Sequence, residues 1–412
     1  MSLGNIIVGQ SGGPTSVINA SLAGVYKAAK DLGTKRIYGM LNGIEGLIDG
    51  RYVNLCDYVK SDMDIEMLKR TPASFLGTCR YKLKDVCDKE EDYAKIFAHL
   101  RKLDVKTFFY IGGNDSMDSL NKMAGYAAAA DVNLRVMGVP KTIDNDLVIT
   151  DHTPGYGSAA KYIASTMKEL ILDVLAYRSK SVLIVEIMGR NAGWLTAAAG
   201  LAKGEDNPGP DMILLPELHF DDEDFIKRVG EMILTKKSLV IAISEGLRDK
   251  EGEYLSRKES GVKLESDPFG HVTLSGAGHY LRRLISRELG VKRVRSVEFS
   301  SIQRCAAHIS SRTDINEAFN AGAHAVQAAV QGETAKMVVF NRASNDPYSI
   351  TYSTSPVSSI ANAEKKMPFE WIDEKNHLVH KEFLDYARPL IMGELPPVMI
   401  NGLPRHFVMG NK

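Results

Sequence analysis

Three short stretches gather the side chains best suited to chemistry. They are Gly12 and Gly13 in GQSGGPTSV, Asn114 and Asp115 in IGGNDSMDSL, and Lys141, Asp144 and Asp146 in PKTIDND. Paired glycines between a strand and a helix let the backbone turn sharply and approach a ligand closely. The helix that follows offers unpaired N–H groups and a positive dipole end to an anion. Two carboxylates and an ammonium in one short loop suit proton removal beside a bound phosphate. Asp144 is then the general base and Lys141 the charge stabiliser. A neighbouring lysine tends to hold an aspartate ionised, the form a base needs. Asn114 and Asp115 would face such a site for metal and phosphate binding. Each stretch also has a plainer reading: an ordinary strand–helix turn, a helix cap from Asp115 or Ser116, and a loop of solvated charges.

Further polar residues follow other apolar runs. Arg190 comes after VLIVEI, Glu245 after SLVIAIS, and Arg295 and Arg304 flank the run ending in VEF. Arginine suits phosphate through its fixed fork of donors, and Glu245 suits sugar hydroxyls. Singly, each is more often a surface or ion-pair residue. No GxxxxGK[ST] occurs, so the chain is not of the P-loop type. GYGSAA at 155–160 mimics a dinucleotide fingerprint but follows ITDHTP rather than a strand, and reads as a turn into a helix.

The elements that must hold these residues are short apolar strands alternating with helices. Strands are expected at NIIVGQ, RIYGM, TFFYI, RVMGVP, VLIVEI, DMILLP, SLVIAIS, RVRSVEF and KMVVF. Helices are expected over Val17–Leu32, Tyr93–Leu103, Ser116–Ala130, Ser158–Tyr177 and Trp194–Ala202. That alternation means an α/β fold with mostly parallel sheets covered on both faces. In such sheets the working loops follow the carboxyl ends of the strands. The division expected is a first lobe at 1–146, a second at 147–312, and a C-terminal segment at 313–412 that ends irregularly and packs back on the lobes.

Over 412 residues, Lys+Arg and Asp+Glu number 51 each, so the formal net charge is zero. This argues against bulk binding to nucleic acid or an anionic membrane. The four cysteines, Cys56, Cys79, Cys87 and Cys305, form no CxxC and fit a reducing cytosol. No apolar run reaches ~18 residues and no signal segment opens the chain, so a soluble cytoplasmic protein is expected.

Taken in order, SGG, LGTCR, GGND, PKTIDND, MGR, ISEG and SIQR resemble the phosphofructokinase family over about residues 5–312. The resemblance implies two Rossmann-like three-layer lobes with the active site in the cleft between them. It implies phosphorylation of fructose 6-phosphate at the 1-position with Mg²⁺ and either ATP or pyrophosphate, in glycolysis, by a homodimer or homotetramer. Asp144 matches the base that takes the proton from the 1-hydroxyl, with Thr142 and Ile143 beside it. Met188, Gly189 and Arg190 resemble the sugar-binding turn, and Glu245 the carboxylate on the ring hydroxyls. Arg295 and Arg304 resemble arginines that grip the 6-phosphate, in part from a neighbouring subunit. Gly12 and Arg80 resemble donor-phosphate contacts. Ser301 stands where many bacterial members have a histidine. Asn114 replaces an aspartate that commonly contacts the metal. Leu22 and Tyr26 align with effector-site arginines of the bacterial ATP enzymes, so no ADP control is expected.

The donor follows from two positions. ATP-using members carry glycine where this chain has Asp115 and Lys141. Asp115 would place a negative charge where the α-phosphate of ATP must sit. Two like charges about 4 Å apart at an effective dielectric near 20 repel by roughly 4 kcal/mol. Pyrophosphate has no third phosphate to repel, and Lys141 would neutralise its transferring group. Pyrophosphate is the expected donor. The alternatives are an ATP-dependent enzyme and a non-catalytic phosphosugar sensor.

Overall fold

The computed structural model describes residues 3–260 and 274–410. The strands of its two main sheets are, in chain order, β1 (Asn5–Gln10), β2 (Ile37–Met40), β3 (Tyr52–Asn54), β4 (Val105–Gly112), β5 (Arg135–Pro140), β6 (Ser181–Ile187), β7 (Met212–Leu214), β8 (Ser238–Ser244), β9 (Val294–Glu298), β10 (Lys336–Asn345) and β11 (Tyr348–Pro356). The chain divides into two compact units. The first comprises Met1–Ser158, Arg304–Glu364 and Ile391–Lys412, and the second Ala159–Gln303 and Lys365–Leu390.

The first unit holds a seven-stranded sheet in the order β11-β10-β5-β4-β1-β2-β3. Its centre is parallel: β10 with β5, β5 with β4, β4 with β1, and β1 with β2. Both edge strands run antiparallel. The run TFFYI is buried throughout because both of its faces are covered. Phe109 and Ile111 join one core with the helices Ile18–Asp31 and Arg312–Val330. Phe108 and Tyr110 join the opposite core with the helices Val86–Lys102 and Asn114–Ala129. This is a three-layer sandwich of the kind parallel sheets require. Leu22 and Tyr26 lie in the first of these cores, and the Tyr26 hydroxyl donates to the Val59 carbonyl at 2.9 Å.

The second unit holds four parallel strands in the order β7-β8-β6-β9. Its core packs Val182, Ile184, Leu239 and Ile241 against the helices Asp222–Thr235 and Ala277–Leu289.

Four features differ from the sequence-based expectation. The helix expected over Trp194–Ala202 is α-helical only to Ala197 and continues as a tighter 3₁₀ turn over Ala198–Ala202. The stretch after KMVVF is a second long strand, β11, hairpin-paired with β10 from Asn345↔Tyr348 to Lys336↔Pro356. Its residues YSITYST alternate between half-buried and exposed, the period-two pattern of an edge strand with one covered face. The residues after 312 do not act as one segment: 365–390 group with the second unit and the remainder with the first. Residues 147–158 also group with the first unit, because Gly155 bridges Thr142 and the amide of Asp151 donates to the Phe340 carbonyl.

Candidate active site

Strand register brings the three chemical stretches of the first unit together. Gln10 pairs with Ile111 and Gly112 with Pro140, so β1, β4 and β5 end side by side. Their loops begin with Ser11–Gly13, Gly113–Asp115 and Lys141–Asp146 respectively. Gly12 has φ +76°, a conformation that glycine adopts at little cost. A methyl group there would stand 3.1 Å from the Lys141 ammonium. Its amide donates to the Cys79 carbonyl at 3.2 Å, and the Thr78 hydroxyl donates to its carbonyl at 2.6 Å, which brings Arg80 to the same loop. A methyl group on Gly13 would lie 3.4 Å from Arg304 Nη1, so that guanidinium also reaches this turn.

Lys141 is 3% exposed, and its ammonium donates to the Gly13 carbonyl at 2.9 Å. Burial pushes its pKa down to about 8; Asp144 and Asp146 oppose that fall, and Arg304 and Arg80 add to it. Three cations thus converge beside a glycine turn, an arrangement that favours a multiply charged anion. A bound anion would restore the charge on Lys141. The expected consequence is a pH limb: with free enzyme, kcat/KM for an anionic donor is level below about pH 8 and falls about tenfold per unit above it. Initial rates at subsaturating donor across about pH 6–10 check this, and a level profile contradicts it.

The Asp144 amide donates to Thr142 Oγ1 at 3.1 Å, and the Thr142 hydroxyl donates to Asp144 Oδ2 at 3.4 Å. This local turn fixes the carboxylate direction. Ile143 is buried between them in sequence, and Asn145 sits at φ +57°, fully buried.

Asp115 occupies the first turn of the helix Asn114–Ala129, where the dipole favours a carboxylate. Lys82 approaches its Oδ1 at 3.6 Å. Asn114 Nδ2 donates to the Ala363 carbonyl, while Asn114 Oδ1 is buried with no hydrogen-bond partner among the described residues. Four residues along the helix, Asp118 Oδ1 accepts from Asn362 Nδ2 at 3.0 Å. A C-terminal turn therefore covers this helix start, and neither it nor Lys82 carries a sequence signal that marks it as part of the site.

The second unit carries a separate cluster. Gly189 has φ +124°, and a methyl group on it would come within 2.7 Å of the Ala192 carbonyl. Its amide donates to Glu245 Oε1 at 3.4 Å, its carbonyl accepts from the Ser244 hydroxyl at 2.6 Å, and the Glu245 amide donates to the Ile187 carbonyl at 2.9 Å. The ends of β6 and β8 are thereby locked together around Met188, Gly189 and Glu245. Arg190 Nε is buried with no hydrogen-bond partner among the described residues, an orphaned donor suited to a ligand oxygen. Gln303 Oε1 accepts from the Met188 amide at 3.3 Å, which sets exposed Ser301 near the same strand ends. Arg295 lies elsewhere. It is the second residue of β9, pairs in register with Leu183 near the start of β6, and faces Asp173 at 3.2 Å.

The sequence profile of the family described as Phosphofructokinase matches residues 5–329. The chain belongs to the phosphofructokinase family. It is 39% identical over 410 residues to the pyrophosphate–fructose 6-phosphate 1-phosphotransferase of Halomonas elongata, covering 98% of this chain and 96% of that protein. It is 39% identical over 414 residues to the protein of the same name from Xanthomonas campestris, covering 100% and 97%. The crystal structure of a pyrophosphate-dependent phosphofructokinase from Nitrosospira multiformis superposes with a TM-score of 0.87 at 33% identity, covering 98% of this chain and 96% of that one. The α/β architecture is that of the phosphofructokinase structure it superposes on.

Proposed function

We propose that the chain transfers a phosphoryl group from pyrophosphate to the 1-hydroxyl of D-fructose 6-phosphate, giving fructose 1,6-bisphosphate and orthophosphate, in glycolysis and reversibly. The observation that carries this reading is the buried Lys141 ammonium against the Gly12–Gly13 turn, with Asp115 in the first turn of the helix that follows the neighbouring strand β4. The cations Lys141 and Arg80 suit a compact diphosphate, and Asp115 disfavours a third phosphate.

Asp144 accepts the proton of the sugar hydroxyl as that oxygen attacks the donor phosphorus. Thr142 orients the carboxylate and Ile143 backs it. Lys141 neutralises charge on the transferring group. Gly12 and Arg80 bind the donor. Met188, Gly189, Arg190 and Glu245 bind the sugar, and Arg304, Ser301 and Arg295 bind the 6-phosphate. Arg295 stands apart from its own chain's turn, which supports service to a neighbouring subunit in a homodimer or homotetramer.

Mg²⁺ is the proposed metal. The described residues contain no group of three or more His, Cys, Asp or Glu placed to hold an ion. Magnesium keeps several waters and binds through one or two protein oxygens plus substrate phosphates, so the orphaned Asn114 Oδ1 fits as a ligand, with Asp115 or Asp146 beside it. When bound, the ion screens charge on the donor phosphates. A cytoplasmic setting is proposed from four unbridged cysteines. No helix among the described residues is long and apolar enough to cross a membrane.

Incubation with fructose 6-phosphate, pyrophosphate and Mg²⁺ is expected to form fructose 1,6-bisphosphate, and a chelator to abolish the reaction. Binding without turnover under these conditions would leave the phosphosugar sensor standing instead.

A further inference from the structure

The segment after the catalytic loop carries a buried histidine that the proposed chemistry does not use. His152 is 1% exposed. Its Nδ1 lies 2.7 Å from Asp151 Oδ2, and its Nε2 lies 2.7 Å from Glu317 Oε2. An ionised carboxylate only accepts hydrogen bonds, and a neutral imidazole donates only one. Both contacts are satisfied together by the imidazolium, which donates from both nitrogens.

The groups facing the ring come from four elements. Asp151 neighbours it in the chain, Glu317 belongs to the helix Arg312–Val330, Phe340 and Arg342 to β10, and Tyr348 to β11. Arg342 donates to Asp151 Oδ2 through Nε at 3.0 Å and Nη2 at 2.8 Å, and the Tyr348 hydroxyl donates to Glu317 Oε1 at 2.7 Å. Phe340 packs edge-on against the imidazole at 5.0 Å. Two cations balance two carboxylates, so the cluster carries no net charge into the interior. Burial alone would lower the imidazole pKa, but Glu317 and Asp151 outweigh it and raise it to about 9.

The residues next in sequence hold the catalytic loop. The Thr153 hydroxyl donates to the Thr142 carbonyl at 2.8 Å, and its amide donates to Asn145 Oδ1 at 3.1 Å. The Thr142 amide in turn donates to the Pro154 carbonyl at 3.2 Å. We propose that His152 is a positioning residue for phosphoryl transfer: clamped as an imidazolium between Asp151 and Glu317, it fixes the Thr153–Gly155 strap that orients Thr142 and Asp144, and it couples the β10–β11 hairpin to that loop.

This inference rests on the functional reading above, and the full-length protein tests both. At saturating pyrophosphate, fructose 6-phosphate and Mg²⁺, donor charge holds Lys141 protonated, so kcat reports other groups. The raised pKa means His152 keeps its charge past the ordinary histidine value and loses it as pH climbs through about 9. Wild-type kcat is therefore expected to fall above about pH 9. Glu317→Gln keeps the shape and removes one of the two negative charges, and should move that limb down by about one unit or more. His152→Gln should lower kcat near about pH 7 by tenfold or more while both KM values stay within about twofold. An active wild type whose kcat stays level to about pH 10, or a Glu317→Gln limb that does not move, overturns the inference alone. An inactive wild type overturns the functional reading and this inference with it. Should His152→Gln fail to fold, the wild-type and Glu317→Gln profiles still decide.

Discussion

Asp144→Asn is expected to lower kcat by about 10²–10⁴-fold, the usual contribution of a general base, with KM for fructose 6-phosphate within about twofold. The substitution is nearly isosteric. The Asp144 amide still donates to Thr142 Oγ1, and the side-chain oxygen can still accept from the Thr142 hydroxyl, so the loop keeps its shape. What disappears is an acceptor basic enough to take the proton of the sugar hydroxyl. Steady-state rates with each substrate varied in turn check this. A variant within about tenfold of wild-type kcat would remove Asp144 from the role of base.

The second large effect concerns the donor. Asp115→Gly should raise turnover with ATP, and the double change Asp115→Gly with Lys141→Gly should cost about a hundredfold or more in kcat/KM with pyrophosphate. The bare repulsion of roughly 4 kcal/mol at 4 Å corresponds to about a thousandfold in affinity. Lys82, 3.6 Å from Asp115 Oδ1, screens part of that charge, so the gain with ATP should fall short of the full figure. The single variant matters because Lys141 is buried on the Gly13 carbonyl, and its removal leaves a void as well as a lost charge. ATP turnover unchanged in Asp115→Gly would mean that this carboxylate does not exclude the nucleotide.

Much of the candidate site was legible because its signals are local. A strand ending in paired glycines before a helix, or a lysine and two aspartates within six residues, can be read without knowing what lies across the sheet. Register then made three separate stretches neighbours, as parallel α/β topology requires. The missed parts are pairings between residues far apart in sequence. Glu317 meets His152 across 165 positions, and Ala363 meets Asn114 across 249, with no motif to mark Glu317, His152 or Ala363. The β11 strand was hidden by its serines and threonines, although the alternation in YSITYST was visible in principle. Arg295 is the opposite case. It sits in a recognisable strand, but which end of the sheet it occupies depends on the pairing of Val294 with Val182, which sequence spacing does not convey.

The central claim is that a buried cation at the glycine turn and an acid at the next helix start select the diphosphate donor. The direct measurement is the ratio of kcat/KM for pyrophosphate to that for ATP, taken on the unmodified protein with fructose 6-phosphate and Mg²⁺ at about pH 7. A ratio of about a hundred or more in favour of pyrophosphate is predicted. Comparable values for the two donors, or a preference for ATP, would contradict it.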